Sequence, residues 1–174
     1  MKKFNQMKNL ILVLLFSTFI SSSIAQKSRW KHYLATGSAM FVSGMLDGTI
    51  ETINYHYESG FKPRMKNVND QFWNPAISWQ NKYKNGISTE GPKFYGSTNM
   101  FVFTTDAYHL MRTSKRVLDG GTLVYYMNDN RCDKKTKTKK ERFRKSIIDF
   151  AVLTTIRCAG FHLTYSVMFK PIKY

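Results

Sequence analysis

Cysteine is scarce in this sequence: the 174 residues include only Cys132 and Cys158. Two cysteines can form at most one bridge, which excludes a small domain held together by several disulfides. One cysteine lies in a basic segment and the other in an apolar stretch, so we expect both thiols to be unpaired. The sequence also contains no internal repeat and no long low-complexity segment.

Several catalytic signatures are missing as well. No Gly-x-Ser-x-Gly elbow is present, which argues against a serine hydrolase. The stretch "IRCAGFHLTYS" is similar to the last motif of the type-2 phosphatidic acid phosphatases, but Arg157 stands one residue too close to His162. The Pro-Ser-Gly-His turn and the Lys…Arg-Pro motif of that family are absent. We therefore reject phosphoryl transfer by that mechanism.

Acidic residues are few: 11 Asp and Glu stand against 27 Lys and Arg, so the formal net charge is +16. The excess is concentrated in a basic segment, residues 129–145. This run is either a solvated loop or helix end, or a surface that contacts anionic lipid headgroups or lipopolysaccharide phosphates. Nucleic acid is not an expected partner, because no recognition motif or stacking platform accompanies the charges. The candidate contact residues are Arg131, Lys134, Lys135, Lys137, Lys139, Lys140, Arg142, Arg144 and Lys145.

The N-terminus has the three-part order of a secretory signal peptide. A lysine-rich start precedes an apolar core at residues 10–20, and Ser23 and Ala25 occupy the −3 and −1 positions of a cleavage site. No cysteine is nearby, which argues against a lipoprotein anchor. We predict that residues 1–25 are a signal peptide and that residues 26–174 form a single α-helical envelope domain. The alternative is an uncleaved N-terminal anchor.

The hydrophobic pattern of the mature chain predicts a mainly α fold, a small helical bundle. In its first helix, Gly44 and Gly48 form a small-xxx-small pair that permits close contact with another helix. The glycines of "DGGT" (119–122) predict the end of its second helix. The three long helices are predicted at residues 33–57, 98–118 and 146–169.

The segment between the first two helices, residues 58–98, combines turn signals with many aromatic side chains. It is too aromatic to be a disordered linker. We expect an ordered, aromatic-rich loop region that packs on the helices or lies at a membrane–water boundary, where Trp and Tyr concentrate.

The last predicted helix is 24 residues long, enough to span a bilayer, although Asp149, Arg157 and His162 interrupt it. The mean hydropathy of the whole chain is −0.38, which is low for a protein made mainly of spanning helices. Three simple spans after an exported N-terminus would also place the basic segment outside the cytoplasm, against the positive-inside rule. We therefore expect a bundle whose apolar helices lie partly in, or against, a membrane. A soluble periplasmic bundle is the alternative.

Ionisable residues recur on the polar faces of these helices. Asp47 and Glu51 lie one turn apart and repel each other unless a cation is near. Asp106, His109 and Arg112 follow at spacings of three, hence on one face. Paired acids and arginines where helices pack would account for these residues, with the histidines, including His56, filling the remaining hydrogen bonds. The members of this structural polar network are Asp47, Glu51, Asp106, Arg112, Asp149 and Arg157.

The same face also permits a catalytic hypothesis. Asp106 and His109 have the carboxylate-x-x-His spacing by which one helix of a bundle offers two metal ligands, although no second such pair is present for a two-metal site. Carboxylates and imidazoles could hold one zinc or iron ion. We predict no cofactor, with zinc or iron as the alternative, and the candidate catalytic residues are Glu51, Asp106, His109 and His162.

Three stretches carry a resemblance to a known group: "NPAISWQNKYKNG" (74–86), "GSTNMFVFTTDAYHLMR" (96–112) and "CAGFHLTYSVMF" (158–169). Together they resemble a small family of exported or membrane proteins from Bacteroidota. Residues 30–51 are more distantly similar to YfiM-like envelope proteins and, more weakly, to VanZ-like proteins, without the Asp-Lys pair that usually precedes the His. The resemblance implies an exported helical protein and carries no reaction with it.

Our first functional hypothesis is a non-enzymatic, membrane-associated helical protein of the cell envelope, a small subunit of a larger assembly. Its expected partners are a membrane or anionic lipid surface and an envelope protein. The alternatives are a metal-assisted membrane or periplasmic enzyme and a soluble periplasmic helical protein.

Overall fold

The structure, a computed structural model, describes residues 29–133 and 138–172. These residues are mainly helical and form no β-strand; an isolated antiparallel bridge joins Tyr83 and Pro92. The predicted mainly α fold is confirmed. The predicted signal peptide, residues 1–25, lies outside the described residues.

Five α-helices occur in the described ranges, three of them long. A π-helical turn, Tyr57–Phe61, follows the first helix, and a second, Leu163–Met168, continues the last one. The chain divides into two units at Ala35, and the packing described below lies within the second unit, Thr36–Tyr174. The helices are α1 (Arg29–Tyr55), α2 (Asp70–Trp73), α3 (Pro75–Ser78), α4 (Ala107–Asp133) and α5 (Lys139–His162).

The prediction that "DGGT" ends the second long helix is wrong, because α4 continues through Gly120 and Gly121 to Asp133. An interior glycine costs a helix only about 1 kcal/mol relative to alanine. Thr122, directly after the pair, is buried in the bundle. The predicted start near Thr98 is also wrong. Turns occupy that stretch, and the helix begins at Ala107.

The last long helix begins seven residues earlier than predicted, because Thr138 and Glu141 form a capping box. The Thr138 hydroxyl accepts from the Glu141 backbone N–H at 3.3 Å, and the Glu141 carboxylate accepts from the Thr138 N–H at 2.9 Å. The second half of the basic segment is therefore helical: Lys139, Lys140, Arg142, Arg144 and Lys145 lie on the first two turns of α5.

Helices α1 and α5 touch backbone to backbone through glycines. A Cβ atom on Gly44 would overlap the carbonyl group of Arg157, and one on Gly160 would overlap that of Phe41. Gly48 meets α5 in the same way one turn further on. The predicted close helix contact at Gly44 and Gly48 is confirmed, and its partner helix is α5.

Among the described residues, the buried apolar side chains lie at one end of the second unit, where α1 ends, α4 begins and α5 ends. Phe72 and Trp73 of the predicted aromatic-rich region pack against this cluster, as expected for a region folded onto the helices. We call residues 57–106 the cap. The buried cluster consists of Ile50, Ile53, Tyr57, Phe61, Ala107, Met111 and Phe169.

The rest of the three long helices, residues 36–49, 112–128 and 138–162, forms what we call the shaft. Its buried residues are all small or polar: Thr36, Gly37, Ser43, Gly44, Gly48, Thr122, Asp149 and Gly160. Large apolar side chains of the shaft face outward instead, among them Val42, Val117, Leu123, Val124, Met127, Ile147 and Phe150. The usual arrangement of a water-soluble bundle is thus inverted along the shaft.

Candidate functional site

Four charged side chains from three helices meet inside the shaft. The carboxylate of Asp47 on α1 accepts from the Lys115 ammonium on α4 at 2.5 Å and from the Arg157 guanidinium on α5 at 2.7 Å. Arg157 also lies 3.5 Å from the carboxylate of Asp119, which accepts from the Ser43 hydroxyl at 2.6 Å. We call these five residues the charge cluster.

The charge cluster is balanced. Its two carboxylates and two cations cancel in formal charge, and their side chains are 24–33% exposed. Each ion is therefore removed from most of its solvent, and its partners replace the lost hydration. The cluster fixes which face of α1 meets α4 and α5, because any rotation of one helix would leave a charge without its partner.

The charge cluster contains two members of the predicted polar network, Asp47 and Arg157. Sequence reasoning missed Lys115 and Asp119, which lie four residues apart on one face of α4. That four-residue spacing was a usable signal, but the helix was predicted to end at Leu118, one residue before Asp119. Ser43 carried no signal of its own.

Asp106 starts helix α4 instead of pairing with an arginine. Its buried carboxylate accepts from the backbone N–H of His109 at 2.9 Å, which is the bond of an N-capping residue. It also accepts from the Thr105 hydroxyl at 2.9 Å and lies 2.8 Å from the His109 ring nitrogen Nδ1. Arg112 donates to the Tyr108 hydroxyl at 2.9 Å.

The contact between the Asp106 carboxylate and Nδ1 of His109 orients the imidazole. A carboxylate orients a general-base histidine in the same way, and Nε2 is left for other contacts. The other residues of the catalytic hypothesis do not add to it. Glu51 is half-buried, and its side chain forms no hydrogen bond or ion pair within the described ranges. His162 is exposed, with Nδ1 3.2 Å from the Ser166 hydroxyl.

The remaining polar residues lie apart from this pair. His56 makes a 3.1 Å contact to the Tyr165 hydroxyl, and Asp149 is buried on α5. Within residues 29–133 and 138–172, no three His, Cys, Asp or Glu side chains are grouped so that they could hold a metal ion. A zinc or iron site therefore stays a sequence-based prediction.

Of the predicted anionic-surface residues, Lys139, Lys140 and Arg144 are exposed on α5, and Arg142 and Lys145 are half-buried. The side chains of Arg131, Lys134, Lys135 and Lys137 lie outside the described residues.

The cap contains an open cavity of about 240 Å³ between Phe72 and Phe94. Its amides bind one another: the Gln71 side chain donates to that of Asn81 at 2.7 Å, and Asn81 donates to the Thr105 carbonyl at 3.0 Å. These hydrogen bonds hold the cap segments together, which explains why polar side chains line the cavity.

One helix among the described residues, Lys139–Met168, is long and apolar enough to cross a membrane, judged by length and composition. Only 17% of its most apolar stretch is buried. Comparison of the chain with protein-family models, with curated proteins and with solved structures gave no match.

Proposed function

We propose that this chain is a non-enzymatic helical protein of the cell envelope whose shaft lies in a lipid bilayer and whose cap lies outside it. The observation that carries the proposal is the inverted shaft, with glycine, serine, threonine and aspartate inside and large apolar side chains outside. In water this arrangement exposes apolar surface without compensation. In a bilayer it is favourable, because lipid covers the outside and small residues let helices approach closely.

The placement of charge along α5 supports the same location. Between residues 146 and 168 the chain contains two formally charged side chains, Asp149 and Arg157. Asp149 is buried, and Arg157 belongs to the charge cluster. The outward face of this stretch therefore presents no Asp, Glu, Lys or Arg to lipid, where each would be costly. This stretch runs from residue 146 of the shaft through the π-helical turn Leu163–Met168 that continues α5. At about 1.5 Å per residue it is roughly 34 Å long, which matches a hydrocarbon core of about 30 Å.

Helix α4 contributes a second apolar surface. Beyond the exposed Arg112 and Arg116, the shaft part of α4 exposes Val117, Leu123, Val124 and Met127. Two helices with outward apolar faces give the shaft more contact with lipid, or with the helices of an envelope partner, than α5 alone would give.

The proposed envelope location is based on the signal-peptide pattern at the N-terminus. The proposal that the protein is not an enzyme is based on the structural roles of its buried and paired carboxylates. The buried carboxylate of Asp106 caps a helix, and Asp47 and Asp119 join helices. The soluble alternative requires a partner protein that covers the apolar faces of α4 and α5.

Cysteine accessibility tests this proposal in membranes from cells that make the full chain. The native cysteines are first replaced with serine. Val124→Cys and Ile147→Cys then place a thiol on the outward shaft, and Ser88→Cys and Tyr95→Cys are matched controls on the exposed surface of the cap. A membrane-impermeant maleimide should label the cap thiols in opened membrane vesicles and should label the shaft thiols only after detergent is added.

Carbonate extraction completes the test. We expect the protein to stay in the membrane pellet. Recovery in the carbonate wash, together with equal labelling of shaft and cap thiols, would reject the bilayer location and favour the soluble alternative.

A further inference from the structure

The first two turns of α5 present three exposed cations, Lys139, Lys140 and Arg144. Their side chains form no ion pair with any residue of the described ranges. The single acid on these turns, Glu141, already accepts from the Thr138 backbone in the capping box. Among the described side chains, none therefore cancels the charge of these three cations.

The helix itself adds to this charge. The N-terminus of an α-helix carries a partial positive charge, so lysines in the first turn are unfavourably placed unless an external anion is near. A bound anionic group would offset both the helix dipole and the mutual repulsion of the three cations.

The basic turns are continuous with the apolar shaft. Phe143 and Ile147, which are 69% and 54% exposed, lie among and directly after the cations. After Lys145, no Lys or Arg occurs until Arg157, which points inward to Asp47. This order, cations followed by an apolar helix face, places the ammonium and guanidinium groups at the headgroup level of a bilayer, where their aliphatic stems lie along apolar surface.

We propose that Lys139, Lys140 and Arg144 bind the phosphate groups of anionic phospholipids at the bilayer surface where α5 enters it. This inference rests on the proposed bilayer location of the shaft. The lipid class, anionic phospholipids, follows from the positive charge of the three side chains. Each cation near an anionic surface strengthens association about fivefold, so the three together contribute on the order of 100-fold.

Lipid quenching tests the proposal in the full chain reconstituted into phosphatidylcholine vesicles. Phe143→Trp places a fluorescent reporter among the cations, and its signal is the difference from the protein without this substitution. The vesicles contain the same small fraction of either brominated phosphatidylglycerol or brominated phosphatidylcholine. We expect phosphatidylglycerol to quench the reporter more strongly, and high salt to remove the difference.

Charge variants assign the effect to these residues. The triple variant K139Q/K140Q/R144Q should lose the preference for phosphatidylglycerol, and the matched variant K66Q/K84Q/K93Q, which removes three exposed lysines from the cap, should keep it. Equal quenching by both lipids overturns the anionic preference and leaves the bilayer location standing. No quenching by either lipid overturns the bilayer location itself. A preference that survives in the first triple variant overturns the assignment to these three residues.

Discussion

Glycine-to-alanine substitution should have opposite effects at two places in the shaft. At Gly44 and Gly160 the added Cβ would overlap a backbone carbonyl of the facing helix, which cannot move without separating α1 from α5. At Gly120 and Gly121 the same Cβ meets no atom within 4 Å. The same chemical change therefore tests helix contact at one pair of positions and helix propensity alone at the other.

The magnitudes follow from two opposing terms. Alanine stabilises a helix interior by about 1 kcal/mol relative to glycine. Overpacking of a tight contact costs about 1–3 kcal/mol, and the contact here is with backbone, which yields least. We expect Gly120→Ala and Gly121→Ala to raise the free energy of unfolding by up to about 1 kcal/mol. We expect Gly44→Ala and Gly160→Ala to lower it by up to about 2 kcal/mol, the difference between the two terms.

Reversible unfolding in detergent micelles, followed by far-ultraviolet circular dichroism, measures these differences. The four variants should separate into two groups on either side of the unsubstituted protein. If Gly44→Ala and Gly120→Ala shift the unfolding midpoint in the same direction, the close approach of α1 and α5 is refuted.

Three further predictions concern the charged residues. Asp47→Asn should destabilise the fold by about 1–3 kcal/mol in the same assay, because two cations lose their carboxylate. The control Glu51→Gln should change stability by about 0.5 kcal/mol or less. Equal effects of the two substitutions would contradict the role of the charge cluster. Asp106→Ala should cost about 0.5–2 kcal/mol through loss of the helix cap, and Asp106→Asn should cost less, since asparagine also caps helices. In the cap, hydrogen bonds from the Lys62 ammonium and the Tyr57 hydroxyl hold the pKa of Asp70 below its ordinary value. Its contribution is therefore present above the ordinary carboxyl pKa and is lost as pH falls through the lowered one, so Asp70→Asn should flatten the acid side of a stability–pH profile.

Local pattern was sufficient to predict the helical class and the contact surface of α1. Gly44 and Gly48 mark a close approach because no other residue type lets backbones come so near, and this requirement is visible without knowing the partner. The identity of the partner helix, α5 with its Gly160, depends on tertiary packing and could not be predicted from the local sequence pattern.

The misread element was α4, and the charge cluster was partly missed for the same reason. A Gly-Gly pair is a helix stop only where nothing beyond it stabilises the helix, and here Thr122, directly after the pair, is buried in the shaft. With the predicted helix ending at Leu118, Asp119 lay outside it, so the four-residue spacing of Lys115 and Asp119 did not define a helix face. Asp106 was assigned to a network because its position relative to Arg112 fits one face. As the residue before the first helical turn, its carboxylate instead turns back to its own helix start.

Because the buried apolar cluster lies at the cap end, the free energy that stabilises the long helices is concentrated at that end. In water, the collapse of side chains around Phe61 would order the cap and the adjoining helix ends, and the far ends of α4 and α5 would gain no comparable free energy. Amide exchange should therefore slow progressively from Asn128 toward Ala107 along α4 when the protein is held in a weakly stabilising detergent. Such a gradient would make the end of α4 near Asn128 the first described part of that helix to fray and the last to form.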